Sequence, residues 1–200
     1  FRAFLAQNLT EVGQIRDYVQ ECLMNKGDQF SRALQDLVNH IGRFMGFEVI
    51  DGRYQGIRGE IGFDGLWKSP TGLSLVVEAK TTEVYTPKTS ALVGYVDELI
   101  SEKKIPNWEN AMGLYVVGRP DPELHSIENA IVAEKRTEKL RIISVESLMS
   151  LAELMNEYDI KELKIELANM GVYQPYKSDD SGRTMRPEQL HITRVLPSEK

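Results

Sequence analysis

Apolar residues recur at helical spacing in the first 45 residues of the chain. A first stripe predicts an amphipathic helix over residues 9–25, with Thr10 and Glu11 at its start. A second and cleaner stripe predicts a helix from Asp28 to about Met45, which Gly46 ends. The apolar positions of this second helix are Phe30, Leu34, Leu37, Val38, Ile41, Phe44 and Met45.

Beyond residue 47 the pattern predicts short strands that alternate with helices. The strands are predicted at 48–50, in a hairpin within 61–80, and in two near-continuous apolar runs at 112–117 and 140–145. The helices are predicted from Thr89 or Ser90 to Ile100 and at 122–135, 147–158 and 160–170. This order predicts an α/β sandwich, a mixed central sheet flanked by helices. We divide the chain into an N-terminal helical extension at 1–27, a main domain at 28–170 and a polar tail or linker at 171–200.

Three charged residues lie within the apolar hairpin. Period-two alternation places Glu78 and Lys80 on one face of the second strand. A turn at 69–72 would set Asp64 roughly opposite Glu78, where Cβ atoms lie about 4.5–5.5 Å apart. Two carboxylates that close repel each other unless a proton or a cation lies between them, and Mg²⁺ prefers such oxygen ligands.

The hairpin by itself is equally compatible with a simpler interpretation. Lys80 could form a salt bridge with Asp64 or Glu78 on a solvated face of the sheet. The pattern of the hairpin does not choose between this structural pair and a metal site.

An Asp, one hairpin and then Glu-x-Lys at a strand end resembles the motif of the PD-(D/E)xK nuclease superfamily. The local sequence is most similar to the Mrr-like restriction endonuclease branch. The segment Gly56–Gly65 resembles that branch's glycine-rich entry to the aspartate strand, and Leu34–Val49 resembles its first helix, Gly-aromatic pair and strand. The resemblance covers about residues 28–150.

The resemblance implies a restriction-endonuclease-like fold and a site built on Asp64, Glu78 and Lys80. Mg²⁺ or Mn²⁺ would be held by Asp64, Glu78 and the Ala79 carbonyl, with Lys80 positioning the hydroxide. The helix position that often supplies a further Glu is Gln35 here, and Gln is a weaker metal ligand, so we expect one metal before two. The implied function is a metal-dependent DNA endonuclease, with restriction or anti-phage defence as its setting by analogy.

Composition adjusts this picture in two ways. The formal net charge of −6 disfavours a free-standing, tight nucleic-acid binder. Further domains or subunits, in a homo-oligomer for example, are therefore expected to supply part of the grip on DNA. The single cysteine fits a reducing, cytoplasmic compartment, and neither a signal peptide nor a membrane-spanning run is predicted.

Two other function classes remain open from the sequence. The first is a catalytically inactive nuclease-like module for nucleic-acid binding or assembly, which Gln35 and the acidic balance favour slightly. The second is a protein-interaction domain that oligomerises through the helices at 9–25 and 160–170.

Overall fold

A mixed β-sheet with helices on both faces forms the part of the chain described by the computed structural model, residues 1–54, 61–81, 89–118 and 123–158. The helices are α1 (Arg2–Asn8), α2 (Val12–Met24), α3 (Asp28–Phe44), α4 (Thr89–Ser101), α5 (Glu123–Ala133) and α6 (Val145–Tyr158). The strands are β1 (Glu48–Asp51), β2 (Gly65–Lys68), β3 (Ser74–Lys80), β4 (Ala111–Val117) and β5 (Leu140–Ser144). A 3₁₀ turn, Trp108–Asn110, precedes β4.

The strands lie in the sheet in the same order as in the chain, β1-β2-β3-β4-β5. The first three strands are antiparallel, and β3, β4 and β5 are parallel to one another. The connection between β2 and β3 is the predicted tight turn, in which Gly72 takes a φ of 93° and donates its N–H to the Ser69 carbonyl. In this strand order β2, β3 and β4 are interior, and α4 and α5 carry the chain back between the parallel strands.

Two apolar cores fill the space between the sheet and its helices. Residues of α1, α2, α3 and α6 pack on one face, where β3 contributes Leu75, Val77 and Ala79. Residues of α4 and α5 pack on the other face, against Val76. Strand β4 is buried on both faces, as its apolar run predicts. The α/β class, with a mixed sheet flanked by helices, is thus confirmed.

The first helical segment differs from its prediction in one respect. Helix α2 begins with a capping box between Glu11 and Gln14, and α3 begins at Asp28 as predicted. The additional helix α1 was not predicted, because seven residues are too few to establish a stripe. It is held by tertiary contacts, since Leu5 is buried in the core and the Arg2 Nε donates to Asp36 Oδ1 at 2.7 Å.

Two predicted segments, the helix at 160–170 and the tail at 171–200, lie outside the described residues. The first half of the glycine-rich entry at 56–65, up to residue 60, is likewise outside them. Among the helices that the structure describes, none combines the length and the apolar character needed to cross a membrane.

Candidate functional site

Asp64 lies directly before β2, where the pairing between β2 and β3 stops. The last pair of that ladder is Gly65 with Val77. The N–H of Asp64 also donates to the Val77 carbonyl, at 3.0 Å, so Asp64 is outside the regular ladder rather than paired with Glu78. The departure allows the Asp64 carboxylate to reach along β3, where its Oδ2 accepts the N–H of Ala79 at 2.7 Å.

Glu78 and Lys80 contact each other near the end of β3, in agreement with the shared face that alternation predicts. The Nζ of Lys80 donates to Oε1 of Glu78. The Glu78 side chain is 14% exposed, and its other oxygen, Oε2, is buried with no hydrogen-bond partner among the described residues. A buried carboxylate oxygen without a partner is costly, so Glu78 is incompletely compensated.

Gln35 reaches the same site from helix α3. Its Nε2 donates to Oδ1 of Asp64. The two oxygens of Asp64 therefore accept from α3 and from β3, and each retains a further acceptor position. The structure thus brings together the four side chains that the sequence analysis selected: Gln35, Asp64, Glu78 and Lys80.

The two carboxylates are electrostatically unfavourable in this arrangement. Asp64 is only 7% exposed. Burial first, and then the charge of Glu78, raises the pKa of Asp64 to about 7, although the Ala79 N–H, Lys80 and Gln35 act in the opposite direction. The protein therefore holds Asp64 in a place where its charged form is disfavoured at neutral pH unless another cation is present.

Lys80 compensates only part of this negative charge. Burial alone would lower the pKa of Lys80, but the neighbouring Glu78 and Asp64 more than offset burial and raise that pKa. Lys80 is therefore an ammonium at neutral pH. One ammonium beside two buried carboxylates leaves a formal excess of one negative charge when both are ionised.

The salt-bridge interpretation therefore accounts for only part of this arrangement. An ion pair between Lys80 and Glu78 is present. The pair is only partly solvated, because the Lys80 side chain is 41% exposed, Glu78 is mostly buried and the neighbouring Asp64 is buried. Asp64 adds a second carboxylate beside a pair that holds only one positive charge, and burying that extra charge is costly unless it too is paired.

The donor set fits a hard divalent cation. Oε2 of Glu78 lacks a partner in the described part of the chain, the Asp64 oxygens have unused acceptor positions, and both are ligands that Mg²⁺ and Mn²⁺ prefer. The N–H and C=O of one strand residue point to the same edge, so the Ala79 carbonyl lies on the edge that its N–H shares with Asp64. Within the described ranges no group of three or more His, Cys, Asp or Glu side chains is placed to hold a metal. The candidate ligands are therefore two carboxylates and one main-chain carbonyl.

Two further residues contact or face this site and were not selected from the sequence. Asn39 lies one helical turn after Gln35 and donates its Nδ2 to the Asp64 carbonyl at 2.9 Å. Tyr95 of α4 faces Gly62, with its hydroxyl oxygen 3.4 Å from where a Cβ on that glycine would lie. Burial, and then the charge of Glu78, raises the pKa of Tyr95, which keeps its hydroxyl protonated. The i, i+4 spacing of Gln35 and Asn39 was the available signal for Asn39.

The chain was compared with models of known protein families, with curated proteins and with solved structures, and none of the three comparisons found a match.

Proposed function

We propose that this chain is a metal-dependent nuclease domain that hydrolyses phosphodiester bonds in DNA. The observation that supports the proposal most is the buried pair of Asp64 and Glu78 beside Lys80, in which Glu78 Oε2 has no partner among the described residues. A structural ion pair would not require the second carboxylate, whereas two carboxylates are a common ligand set for a divalent cation. The resemblance of the Asp64, Glu78 and Lys80 pattern to the PD-(D/E)xK motif supports the same chemistry.

In this proposal each residue has a separate task. Asp64, Glu78 and the Ala79 carbonyl bind Mg²⁺ or Mn²⁺, and Gln35 orients the Asp64 carboxylate. A cation bound there supplies Lewis acidity and a water of lowered pKa. The ammonium of Lys80 orients the attacking water and stabilises the negative charge that develops on the phosphate.

Binding of the substrate requires more positive charge than the site provides. The formal net charge of the chain is −6, and contacts to phosphates depend on Lys and Arg. We therefore propose that additional domains, or a second copy of the chain, contribute to the grip on DNA. Restriction or anti-phage defence, in the cytoplasm, is the biological setting that the resemblance favours.

The proposal is tested by incubating supercoiled plasmid with the wild type, with Asp64→Ala and with Glu102→Gln. Glu102 pairs with Lys104 on the surface beyond α4 and serves as the matched control. We expect nicked or linear plasmid with the wild type and the control in Mg²⁺ or Mn²⁺, and intact plasmid with Asp64→Ala or EDTA.

Equal cleavage by the wild type and Asp64→Ala would show that the nuclease activity does not come from this site. Retarded plasmid in a gel shift, with no cleavage in any metal, would contradict the nuclease proposal and favour the inactive binding module. Running the same reactions on single-stranded RNA tests the choice of DNA, which would be wrong if RNA alone were cut.

A further inference from the structure

The main chain of Asp64 is held as firmly as its carboxylate. Its carbonyl accepts two hydrogen bonds, from Gly52 N–H at 2.9 Å and from Asn39 Nδ2 at 2.9 Å. Its own N–H is bound to the Val77 carbonyl at 3.0 Å. These contacts come from α3, from β3 and from the residue after β1, and they fix the peptide planes on both sides of Asp64, although Asp64 lies outside the β2 strand.

Asn39 is itself fixed in a single orientation. It is 1% exposed, and its Oδ1 accepts the indole Nε1–H of Trp67 at 2.8 Å. An indole N–H can only donate and a main-chain carbonyl can only accept. The amide of Asn39 must therefore present its oxygen to Trp67 and its nitrogen to Asp64, because the flipped amide would place donor against donor and acceptor against acceptor.

Two glycines make room for this contact. A Cβ on Gly65 would overlap Oδ1 of Asn39 and would lie 3.0 Å from Nε1 of Trp67. A Cβ on Gly42, one turn further along α3, would lie 2.7 Å from Cε2 of the Trp67 ring. The Trp67 ring and the Asn39 amide can therefore occupy these positions only because Gly65 and Gly42 have no side chain.

An anchor of this kind has a physical purpose at Asp64. Burial of its carboxylate beside Glu78 favours rotation of Asp64 away from the site. Asp64 lies outside the strand ladder, so only its bonds to Val77 and Gly52 replace regular strand pairing against that movement. The bond from Asn39 opposes it at the carbonyl, while Gln35, four residues earlier on α3, holds the carboxylate.

We propose that Asn39 is a positioning residue, which holds the Asp64 carboxylate against the Ala79 N–H and keeps it ready to bind the divalent cation. The part that concerns the cation rests on the proposed nuclease function. The part that concerns the carboxylate does not, because the Ala79 N–H reports the position of Asp64 without any metal.

The first test is amide hydrogen exchange in the full chain, in EDTA, for the wild type, Asn39→Leu and the milder Asn39→Ser. The matched control is Val38→Ala, a buried substitution at the neighbouring position of α3, whose side chain belongs to the apolar core. In both Asn39 variants we expect exchange of the Ala79 amide to accelerate about tenfold relative to the amides of Val76 and Val77 in the same strand. Val38→Ala should change all three amides by a common factor.

The second test is the affinity for Mn²⁺, measured by isothermal titration calorimetry with MnCl₂. Loss of a residue that orients a metal ligand typically weakens metal binding about 10- to 100-fold, and we expect Asn39→Ser to fall in that range while Val38→Ala keeps the wild-type Kd. The inference would be overturned if neither Asn39 variant changed the relative exchange of Ala79. A wild type that binds no Mn²⁺ would overturn the nuclease proposal, and the exchange data would still decide whether Asn39 positions Asp64.

Discussion

Replacing Asp64 by Asn should stabilise the folded protein at neutral pH while removing its proposed activity. The pKa of Asp64 is raised from 3.8 to about 7, chiefly by burial and then by Glu78. The folded state therefore holds the Asp64 proton more tightly than the unfolded state does. The protein is most stable where Asp64 is protonated, and it loses stability as the pH rises from about 4 to about 7. Asn carries no charge and avoids this loss.

The size of the effect follows from the same pKa values. Each pKa unit corresponds to about 1.4 kcal/mol, so the rise to about 7 makes the carboxylate unfavourable by at most about 4 kcal/mol above pH 7. Integrated over pH, the advantage of Asp64→Asn grows by about 3 kcal/mol between about pH 5 and about pH 8. The contacts at the site can be retained, because the Asn oxygen accepts from Ala79 while its amide donates to a flipped Gln35.

The assay is urea unfolding of the wild type and of Asp64→Asn, in EDTA, at these two pH values. The quantity compared is the difference in unfolding free energy between the two proteins at each pH. A suitable comparison is Asp36→Asn. Asp36 is a second buried carboxylate, but it accepts from Arg2 Nε and from the Tyr54 hydroxyl. The same substitution should therefore destabilise at Asp36, by about 1–3 kcal/mol, and stabilise at Asp64. An Asp64→Asn advantage that did not grow with pH, or a variant less stable than the wild type at about pH 8, would refute the reasoning.

Addition of Mg²⁺ should narrow the difference in unfolding free energy between the two proteins. A ligand that binds only the folded state stabilises it by about 2.7 kcal/mol at 100 times its Kd. The wild type should gain this stabilisation and Asp64→Asn should not. An equal gain in both proteins would place the cation elsewhere.

Three further outcomes follow from the site and its supports. Glu78→Gln should lower the cleavage rate at least about 100-fold and abolish the Mg²⁺-induced rise in Tm, and unchanged kinetics would remove Glu78 from the site. Lys80→Met should lower kcat about 100-fold but leave the Kd for Mn²⁺ within about threefold, since Lys80 acts on charge at the phosphate; a lost Mn²⁺ affinity instead would make Lys80 structural. Gly52→Ala should destabilise the protein by about 3 kcal/mol or more in urea unfolding. The reason is that its Cβ would overlap the Phe63 carbonyl oxygen and lie 2.6 Å from the Asp64 carbonyl oxygen. An unchanged free energy of unfolding would disprove this close approach.

Much of the site could be predicted because it depends on local periodicity. The shared face of Glu78 and Lys80 follows from alternation within one strand, and the hairpin turn brings Asp64 near them. The helix stripe placed Gln35 on α3, and the resemblance selected it as a candidate site residue. These predictions need only the dihedral period of each element and one turn.

The position of Asp64 itself could not be derived in this way. The Asp64 N–H donates to the Val77 carbonyl at the end of the ladder, and Gly52 and Asn39 donate to the Asp64 carbonyl. These bonds come from residues 12 and 25 positions earlier, and a strand pattern contains no information about them. Asn39 also escaped notice because a lone amide beside an apolar stripe is normally a surface residue, and only tertiary packing against Trp67 buries it.

The raised pKa of Asp64 could not be predicted from the sequence either. It depends on how deeply the carboxylate is buried and on how near Glu78 lies, and both are set by α3 and β3 together. Helix α1 was missed for a related reason, since its stability comes from Leu5 and from the bond between Arg2 and Asp36 rather than from its own pattern.

The most direct measurement of the central claim is the stoichiometry and affinity of Mn²⁺ binding, by calorimetry at about pH 8, for the wild type, Asp64→Asn and Glu78→Gln. Two buried carboxylates that jointly hold one cation predict one Mn²⁺ per wild-type chain and at least about 100-fold weaker binding in either variant. Binding of Mn²⁺ that survives both substitutions, or no binding to the wild type, would contradict the claim that Asp64 and Glu78 form a metal site.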